Sequence, residues 1–479
     1  MNFNKKLAVA VSGAVLLMAG QFALADSATD IVDALVSKGV LTEEEGKLIT
    51  KGHKSKTDIT PVVKTKDNAL SLETADGKSS IQVNGRVHFD YRTFDYPANN
   101  TSATAVPAGS DTFDMRRARI GVKGKFGNYY SGEIVINTVG NGANDIIDVA
   151  YMDVAWFEKA KFRFGQFKMP FSLEQLTSSN NIDFIERSFV DSQIPAKERG
   201  AQVFGEPMDG MTYALALGTG LKAAEQTTAG ARELDNAHSD LDFVGRATIN
   251  FAEIVKNKDM VAHVGLAFQA GDQFRSTDAM GGSQKSRSRS DVTFFTMNTV
   301  TNGNTYSNQV DRQRLGYEGA LASGPFKIQG QYVDGKFDFQ TGEGVDQRPS
   351  IETGYIQALW TLTGETHASR YKAGAFGSFK PTANFNPDTM TGGAWEIGAR
   401  YGFFDASDYR NVTGSASNTF FKANDMTLGI KFVANPNFRI MADFMKTDFK
   451  DQKGTGVTLG GHANITDEKA IIVRTQLMF

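Results

Sequence analysis

Apolar and polar residues alternate along most of the chain from Pro61 onward. In residues 81–91, "IQVNGRVHFDY", apolar or small side chains fall on the odd positions and polar ones on the even positions. A period of two is typical of a β-strand with one apolar and one polar face. The same alternation predicts an all-β domain of sixteen strands, at residues 80–94, 113–126, 129–137, 146–157, 161–169, 200–207, 211–219, 241–251, 260–270, 312–322, 326–336, 353–363, 394–404, 424–434, 437–447 and 468–479.

The connections between these strands alternate between short turns and long loops. Turns such as "FGN", "SGP" and "ANPN" are short, whereas residues 95–112, 170–199, 271–311 and 448–467 are long. An even number of antiparallel strands with this rhythm predicts a transmembrane β-barrel of the bacterial outer membrane, with its short turns in the periplasm. Residues 364–393 fall on the short-turn side but are long. Either they are a genuine insertion, or the strand count is wrong by one hairpin.

The last predicted strand ends on an aromatic residue, in "AIIVRTQLMF". In lipid every backbone polar group needs a partner, so a spanning sheet must close its last strand onto its first. We therefore expect Phe479 in the seam of the barrel, within an aromatic girdle on the periplasmic side. This ending also resembles the terminal aromatic signal of outer-membrane barrels, which the barrel-assembly machinery recognises.

Residues 1–25, "MNFNKKLAVAVSGAVLLMAGQFALA", have the parts of a secretory signal peptide: two lysines, an apolar run and the small-x-small ending "ALA". We expect cleavage after Ala25 and export through the periplasm of a Gram-negative bacterium. The run is too short for a spanning helix, and no later segment approaches ~18 consecutive apolar residues. We therefore expect no helical membrane span.

The segment 26–60 changes to helical spacing, and its Thr42 and Glu45 match the capping box of a helix start. We expect two short periplasmic helices here, the second of which buries Leu48 and Ile49. One interpretation is a docking peg or small oligomerisation helix, and the other is an element that supports a trimer or binds the cell wall. The barrel would then occupy residues 61–479.

Composition agrees with a barrel. The chain has 48 Gly, which suit turns and close strand contacts, and 35 Phe, more than one soluble core needs when 41% of residues are apolar. It has no cysteine, and its six histidines show no metal-binding spacing. Without the two lysines of the signal peptide, 49 basic residues face 54 acidic ones, a net charge of −5. In a pore, however, the charges that line the lumen set the field.

The strand "FDMRRARIGVKGKF" carries Arg117, Arg119, Lys123 and Lys125 on the face opposite its apolar residues. Each cation facing lipid near the midplane would cost about 2–4 kcal/mol, so we expect all four in the lumen. Arg116 falls on the outer face near the external rim, where it could reach lipopolysaccharide phosphates.

Other cations also lie opposite apolar neighbours and extend this anion pathway; they are Arg86, Arg92, Arg246 and Arg474. A functional basic track is one interpretation, since clustered lumen charges tune selectivity and arginine matches phosphate oxygens bidentately. The other interpretation is an ordinary watery lumen with both signs of charge, because Asp90, Glu133 and Glu318 face the same way.

The loop after the fifth strand, "MPFSLEQLTSSNNIDFIERSFVDSQIPAKERG", is rich in apolar residues. A solvated loop does not need them, so we expect it to pack against the inner barrel wall and narrow the channel. Within residues 170–200 five acids outnumber three bases, so the charge of the loop does not by itself favour anions.

Four segments, "FDMRRARIGVKGKF", "FRFGQFKMPFSLEQLTSSNNIDFIERSF", "YIQALWTLTGE" and "GAWEIGARY", followed by "QLMF", resemble the phosphate-selective porin O and P family. The resemblance implies a trimer of sixteen-stranded barrels, each with an inward-folded third loop and arginines along the lumen. By motif, Arg116 and Arg117 match the family's strand-two pair and Arg187 matches its loop arginine. Strongly phosphate-selective members place lysines in the loop where this chain has Gln175 and Asn180; Lys168 is the candidate replacement.

These observations predict a passive outer-membrane channel for small anions, with phosphate or a related oxyanion preferred. The alternative is a weakly selective general diffusion porin of the same fold. No GxSxG or Asp–His arrangement is present, so we expect no enzyme, and we expect no cofactor, metal or nucleic-acid partner. The expected partners are two further copies of the chain, membrane lipid and lipopolysaccharide, small anions such as phosphate, and the assembly machinery.

Overall fold

The computed structural model describes residues 27–479 apart from residues 58–59, 67–68, 96–110, 140–145, 220–240, 274–284, 288–292, 297–299, 302–303, 306–309, 341–343, 413–418, 454–457, 460–461 and 464–465. The predicted signal peptide, 1–25, lies outside the described residues. The chain divides into two compact units, one of residues up to 64 together with 72–80, and one of residues 65–71 together with 81–479. No helix in the described part of the chain is long and apolar enough to cross a membrane.

The first unit contains the two predicted helices, α1 (Ser27–Ser37) and α2 (Glu43–Thr57). The capping box forms as predicted: the backbone N–H of Thr42 donates to Glu45 Oε2 (2.9 Å), and that of Glu45 donates to Thr42 Oγ1 (3.2 Å). Two otherwise unpaired N–H groups at the helix start are thereby satisfied.

The contact between α1 and α2 centres on Gly46, where a Cβ atom would lie 2.6 Å from Val36 Cγ2. Val32 is buried there at 8% exposure. The expectation that Leu48 and Ile49 are buried is wrong, since they are 75% and 46% exposed. A hairpin of two helices has only one contact face, and that face is taken by the valines.

The second unit is built from sixteen long strands in chain order, β1 (Ser80–Asp95), β2 (Thr112–Phe126), β3 (Tyr130–Asn137), β4 (Ile147–Val154), β5 (Lys161–Lys168), β6 (Lys197–Gly205), β7 (Met211–Gly218), β8 (Asp242–Asn250), β9 (Met260–Gln273), β10 (Val310–Ser323), β11 (Phe326–Gln340), β12 (Ser350–Thr361), β13 (Ala394–Asp405), β14 (Thr419–Asn435), β15 (Phe438–Lys453) and β16 (Asp467–Met478). Each strand pairs with its chain neighbours, and β16 pairs antiparallel with β1, which closes the barrel. The predicted sixteen-stranded antiparallel barrel is confirmed.

Smaller elements lie in the connections and near the helices. The short helices are α3 (Leu173–Leu176), α4 (Val190–Gln193) and α5 (Phe251–Ile254), with 3₁₀ turns at Ala368–Arg370 and Ser407–Asn411. The short strands are Val62–Lys66, Ala69–Glu73, Lys285–Arg287, Thr293–Thr296, Val300–Thr301, Asn304–Thr305, Asp346–Gln347, Tyr371–Lys372, Ala375–Phe376, Thr458–Leu459 and His462–Ala463.

Strand faces follow the predicted alternation. On β1 the rings of Phe89 and Tyr91 are 41% and 38% exposed, whereas His88 and Asp90 are fully buried. Apolar side chains therefore cover the outside of the barrel, where lipid would contact them, and polar ones point inward.

The connection of β12 to β13 is a genuine insertion, and the strand count stands without an extra hairpin. We call residues 362–393 the β12–β13 insertion. Its strands Tyr371–Lys372 and Ala375–Phe376 pair as a small hairpin. Phe376 and Phe379 are 3% and 2% exposed, so the insertion packs inward.

The interior of the barrel is partly filled. The loop between β5 and β6, residues 169–196, which we call L3, enters the lumen as predicted. At its end an aromatic cluster joins Phe189 of L3 to Phe294 and Phe295, with Phe404 of β13 and Phe449 of β15. The ring centroids of Phe189 and Phe294 are 5.6 Å apart.

Candidate functional site

L3 is shaped by short-range hydrogen bonds before it meets the barrel wall. Ser172 is the N-cap of helix α3, and its side chain accepts a hydrogen bond from the backbone N–H of Gln175 (3.2 Å). The hydroxyl of Thr177 donates to the carbonyl oxygen of Leu173 (2.8 Å). These bonds turn the chain tightly. The side chains of Leu173 and Phe184 are buried, at 0% and 2% exposure. The loop residues that sequence alone marks as too apolar for solvent therefore form the packed side of L3.

Wall residues hold the backbone of L3. The N–H of Leu173 donates to Glu318 Oε2 on β10 (2.7 Å), and the N–H of Ile185 donates to Asp443 Oδ2 on β15 (2.6 Å). Arg474 Nη1 on β16 donates to the carbonyl oxygen of Ile185 (2.7 Å). Strands on different sides of the lumen therefore hold one loop.

Glu186 at the centre of L3 binds three arginines. Its carboxylate lies 2.8 Å from Arg92, 3.0 Å from Arg116 and 3.4 Å from Arg474. Burial by itself would raise the pKa of Glu186, but these cations hold the pKa well below its usual range. Glu186 is therefore an anionic anchor that pairs with two cations of the predicted anion pathway, Arg92 and Arg474, and with Arg116.

Arg116 corrects the sequence prediction, because its side chain points to Glu186 and not to lipid. The ladder of β2 with β3 covers Arg119 to Phe126, so Arg116 lies beyond it, toward the long-loop end. A long arginine side chain at such a position can curl over the strand and reach an inward charge. Strict alternation does not describe this part of the strand.

A cavity of about 920 Å³ lies beside L3. It is bordered by strands β1 to β8, by L3 residues and by Ala373 at the tip of the β12–β13 insertion. Its charged lining among the described residues comprises ten bases against five acids: Arg86, Arg117, Arg119, Lys159, Lys161, Arg163, Lys168, Arg187, Lys197 and Arg246, with Glu133, Asp148, Glu158, Glu206 and Asp209. The surplus of positive charge favours anions within this space.

The carboxylate of Asp148, close to L3, pairs with two of these bases at once. Its Oδ2 lies 2.9 Å from Arg119 Nη1, and its Oδ1 accepts a hydrogen bond from Lys197. Lys197 stands directly opposite Lys168 in the β5–β6 ladder. Like charges in this position repel, so an anion between them is stabilising. Lys168 instead donates to the carbonyl oxygens of Gln175 (2.5 Å) and Thr177 (3.2 Å) in L3.

Two arginines in the lining retain hydrogen-bonding capacity. Arg117 Nη1 and Arg86 Nε are buried without a hydrogen-bond partner among the described residues. Arg86 also donates from Nη1 to Ser179 Oγ in L3 (2.8 Å). Arg187 donates to the backbone carbonyls of Glu174 (3.3 Å) and Thr177 (3.1 Å), which orients it along the loop. Buried donors without partners are costly unless a ligand or water satisfies them.

The structure divides the cations predicted from sequence into three groups. The cavity lining brings together Arg86, Arg117, Arg119, Lys168, Arg187 and Arg246. Arg92 and Arg474 face inward but pair with acids: Arg92 with Asp90 (2.8 Å) and Glu186, Arg474 with Asp90 (2.6 Å) and Glu186. Lys123 and Lys125 are exposed further along β2, outside the cavity lining that the structure describes. Arg246 in the first group is also paired, since its Nη2 lies 2.5 Å from Glu318 Oε1.

Asp148 has a position that the sequence pattern does not indicate. The β3–β4 ladder shifts register there, with Val135 opposite Val149 and Ile136 opposite Ile147, so Asp148 is the extra residue of a β-bulge. A bulge re-aims a side chain, and period-two alternation cannot assign such a residue to a face. Lys197 falls within the predicted loop 170–199, whereas in the structure it begins β6 and faces the cavity.

Comparison with known proteins identifies the family. The family described as phosphate-selective porin O and P matches residues 81–479. Porin O of Pseudomonas aeruginosa is 26% identical over 409 residues, covering 80% of this chain and 86% of that protein. Among solved structures, OmpT of Vibrio cholerae is 13% identical with a TM-score of 0.49, covering 84% of this chain and 98% of that chain. An anion-selective porin from Comamonas acidovorans is 13% identical with a TM-score of 0.47, covering 84% of this chain and 100% of that chain.

The family match spans the whole barrel, from the residue after the start of β1 to the last residue. It covers the sixteen strands and L3 together, which are the parts that make the lumen. The protein is therefore a β-barrel channel of the Gram-negative outer membrane and belongs to the phosphate-selective porin O and P family.

Proposed function

We propose that this porin passes small anions passively, with phosphate or a related oxyanion as the preferred solute. The observation that carries the proposal is the cavity beside L3, whose described lining has twice as many bases as acids. Within it, Arg117 has a buried guanidinium nitrogen without a partner. Guanidinium groups bind phosphate oxygens with directional, charge-assisted hydrogen bonds.

The proposed anion path uses Arg86, Arg117, Arg119, Lys168, Arg187 and Lys197 near L3. Several modest contacts in series suit a channel, because a solute must leave as readily as it enters. Arg92, Arg116 and Arg474 are assigned a different role, as the cations that anchor L3 through Glu186. Lys123 and Lys125 would contribute only long-range positive potential in the lumen, without contacting the solute in the cavity.

The test is the zero-current potential across a planar bilayer under a salt gradient, repeated with added phosphate. Anion selectivity with chloride current blocked by millimolar phosphate is the expected result. Arg117→Ala should weaken the block roughly tenfold, the effect of losing about one charge-assisted hydrogen bond. The matched control is Arg163→Ala, since Arg163 lines the same cavity but is paired with Asp153 (2.7 Å) and stacked on Tyr151 (3.8 Å). The block constant of Arg163→Ala should change less than that of Arg117→Ala, because the guanidinium of Arg163 is already held by Asp153 and Tyr151.

A potential near zero or cation-selective, without block, would support a general diffusion porin instead. The general diffusion porin is supported by the ion pairs of Arg92, Arg246 and Arg474. Each of these arginines is bound to a protein carboxylate and is therefore less available to a passing anion. This alternative predicts that Arg117→Ala and Arg163→Ala change the potential equally.

We further propose that the channel works as a homotrimer embedded in lipid and lipopolysaccharide. The chain would reach the membrane by export through the periplasm. The barrel-assembly machinery would then insert it, with Phe479 as part of the recognition signal. Support comes from membership of the family and from the seam position of Phe479. Native mass spectrometry of the detergent-extracted protein would test the trimer.

A further inference from the structure

The β12–β13 insertion and L3 share one apolar cluster. Leu173 of L3 is fully buried in a cluster with Ala368 and Phe376 of the insertion, and Tyr371 packs against it. Leu173 also anchors the L3 backbone on Glu318. The insertion therefore lies against the segment of L3 that carries helix α3.

A polar contact connects the same two segments. The carboxylate of Asp183 in L3 is 2.6 Å from Lys327 Nζ on β11 and 3.8 Å from Arg370 Nη2 in the insertion. Arg370 is held in turn by Glu396 of β13 (3.1 Å). The ring of Phe376 lies 4.2 Å from Lys327 Nζ, which shields the Lys327–Asp183 pair from water.

The tip of the insertion reaches strand β8. The carbonyl oxygen of Gly374 accepts a hydrogen bond from Arg246 Nη2 on β8 (2.8 Å). Arg246 Nε donates to Glu318 Oε1 (2.9 Å), and Glu318 accepts from the N–H of Leu173. A continuous line of hydrogen bonds thus runs from the tip to L3. Gly374 has φ +75°, and a Cβ there would lie 3.1 Å from Thr248 Oγ1, so the close approach suits glycine.

We propose that the β12–β13 insertion positions L3, with Phe376 and Arg370 as the positioning residues. L3 enters the barrel from the long-loop end, and the insertion supports it from the short-turn end. Removing this support allows L3 to leave its docked position, which widens the passage although no residue of the basic lining changes. The inference goes beyond the proposed function, because it concerns the width of the passage for any solute.

The test compares Phe376→Ala with Phe385→Ala. Phe385 belongs to the same insertion but packs on Phe432 of β14, with ring centroids 5.3 Å apart. The natural chain has no cysteine, so Leu173→Cys reports specifically on L3. Its labelling by a small thiol reagent should rise at least about tenfold in the Phe376→Ala background, because local opening limits the reactivity of a buried thiol. Single-channel conductance should rise in the same variant, and neither quantity should change with Phe385→Ala.

Phe376→Leu is measured in parallel and takes the place of Phe376→Ala if the alanine variant fails to fold. A buried thiol that stays unreactive, together with unchanged conductance, would overturn the proposal in whichever variant folds. Equal effects of the Phe376 and Phe385 variants on labelling and conductance would also overturn the proposal. The loss of any aromatic side chain from the insertion would then explain the result. Because the labelling of Leu173→Cys does not depend on which ion carries the current, failure here is distinguishable from failure of anion selectivity.

Discussion

The ring of Phe479 covers Gly85 across the seam of the barrel. The backbone N–H of Gly85 donates to the carbonyl oxygen of Phe479 (2.7 Å), and the N–H of Phe479 donates to that of Gly85 (3.1 Å). A Cβ at Gly85 would lie 2.4 Å from Phe479 Cζ. The aromatic ring therefore fills the place of the missing side chain, in the manner by which aromatic residues stabilise glycine in designed sheets.

This pair predicts a coupling between two substitutions. Gly85→Ala should destabilise the barrel by forcing the ring of Phe479 away, and Phe479→Ala by uncovering the seam. Gly85→Ala should lower the free energy of unfolding less in the Phe479→Ala background than in the wild type, which gives a coupling energy of about 1 kcal/mol. Urea-induced unfolding in lipid vesicles measures the free energy of unfolding of the two single variants and the double variant. Additive effects would show that ring and glycine do not interact energetically.

Glu186→Gln is expected to loosen L3. Arg92, Arg116 and Arg474 would lose their shared carboxylate, and removing one partner of a largely buried ion pair costs about 3 kcal/mol or more. Hydrogen exchange of the L3 amides should accelerate, while strand amides of β5 and β6 remain protected. Exchange of L3 at the wild-type rate would mean that the backbone anchors Asp443 and Glu318 are sufficient alone.

The same carboxylate predicts a response to acid. The pKa of Glu186 is lower in the docked loop than the value of about 4.3 for an exposed glutamate. Its contribution to docking is thus complete above about pH 4.3 and is lost as the pH falls through the docked pKa. The part of the conductance change that depends on Glu186 should therefore appear only below about pH 4. A transition between pH 5 and 7, or one that persists in Glu186→Gln, would assign the response to another group.

Asp148→Asn should strengthen anion binding in the cavity. Arg119 and Lys197 donate to Asp148, which competes with any solute oxyanion for them. Without this carboxylate the half-saturating phosphate concentration should fall roughly tenfold and the maximal current should also fall, because release slows. Glu133→Gln is the matched control, since Glu133 lines the same cavity and accepts from Tyr151 Oη (2.7 Å). Equal shifts in both variants would indicate a general field effect.

Thr42→Ala should weaken the start of helix α2. The capping box loses the hydroxyl that accepts from Glu45 N–H, and loss of an N-cap costs about 1 kcal/mol. Amide exchange in the first turn of α2 should accelerate about fivefold, the equivalent of that energy. Channel currents should be unchanged. A change in conductance would connect this helix to the barrel's function.

Predictions succeeded where side-chain direction follows a repeating backbone geometry. The alternation in β1 already separates outward Phe89 from inward Asp90, and the alternation of short turns with long loops agrees with the number of strands. They failed where a local irregularity intervenes, as at Asp148 in a bulge and at Arg116 beyond the β2–β3 ladder. The identity of the partner of each charge was also out of reach, because partners such as Glu186 and Arg474 are almost 300 residues apart.

The sequence alone determined the barrel, its closure at Phe479 and the inward course of L3, because period-two patterning, turn chemistry and excess apolar residues are local properties with one favourable arrangement in lipid. Only the tertiary structure decided which cations line the cavity and which anchor L3. A charge in a closed lumen can pair with acids from any strand or inward loop. The partner therefore depends on which groups folding brings within a few ångströms, and that arrangement is encoded by the whole chain together.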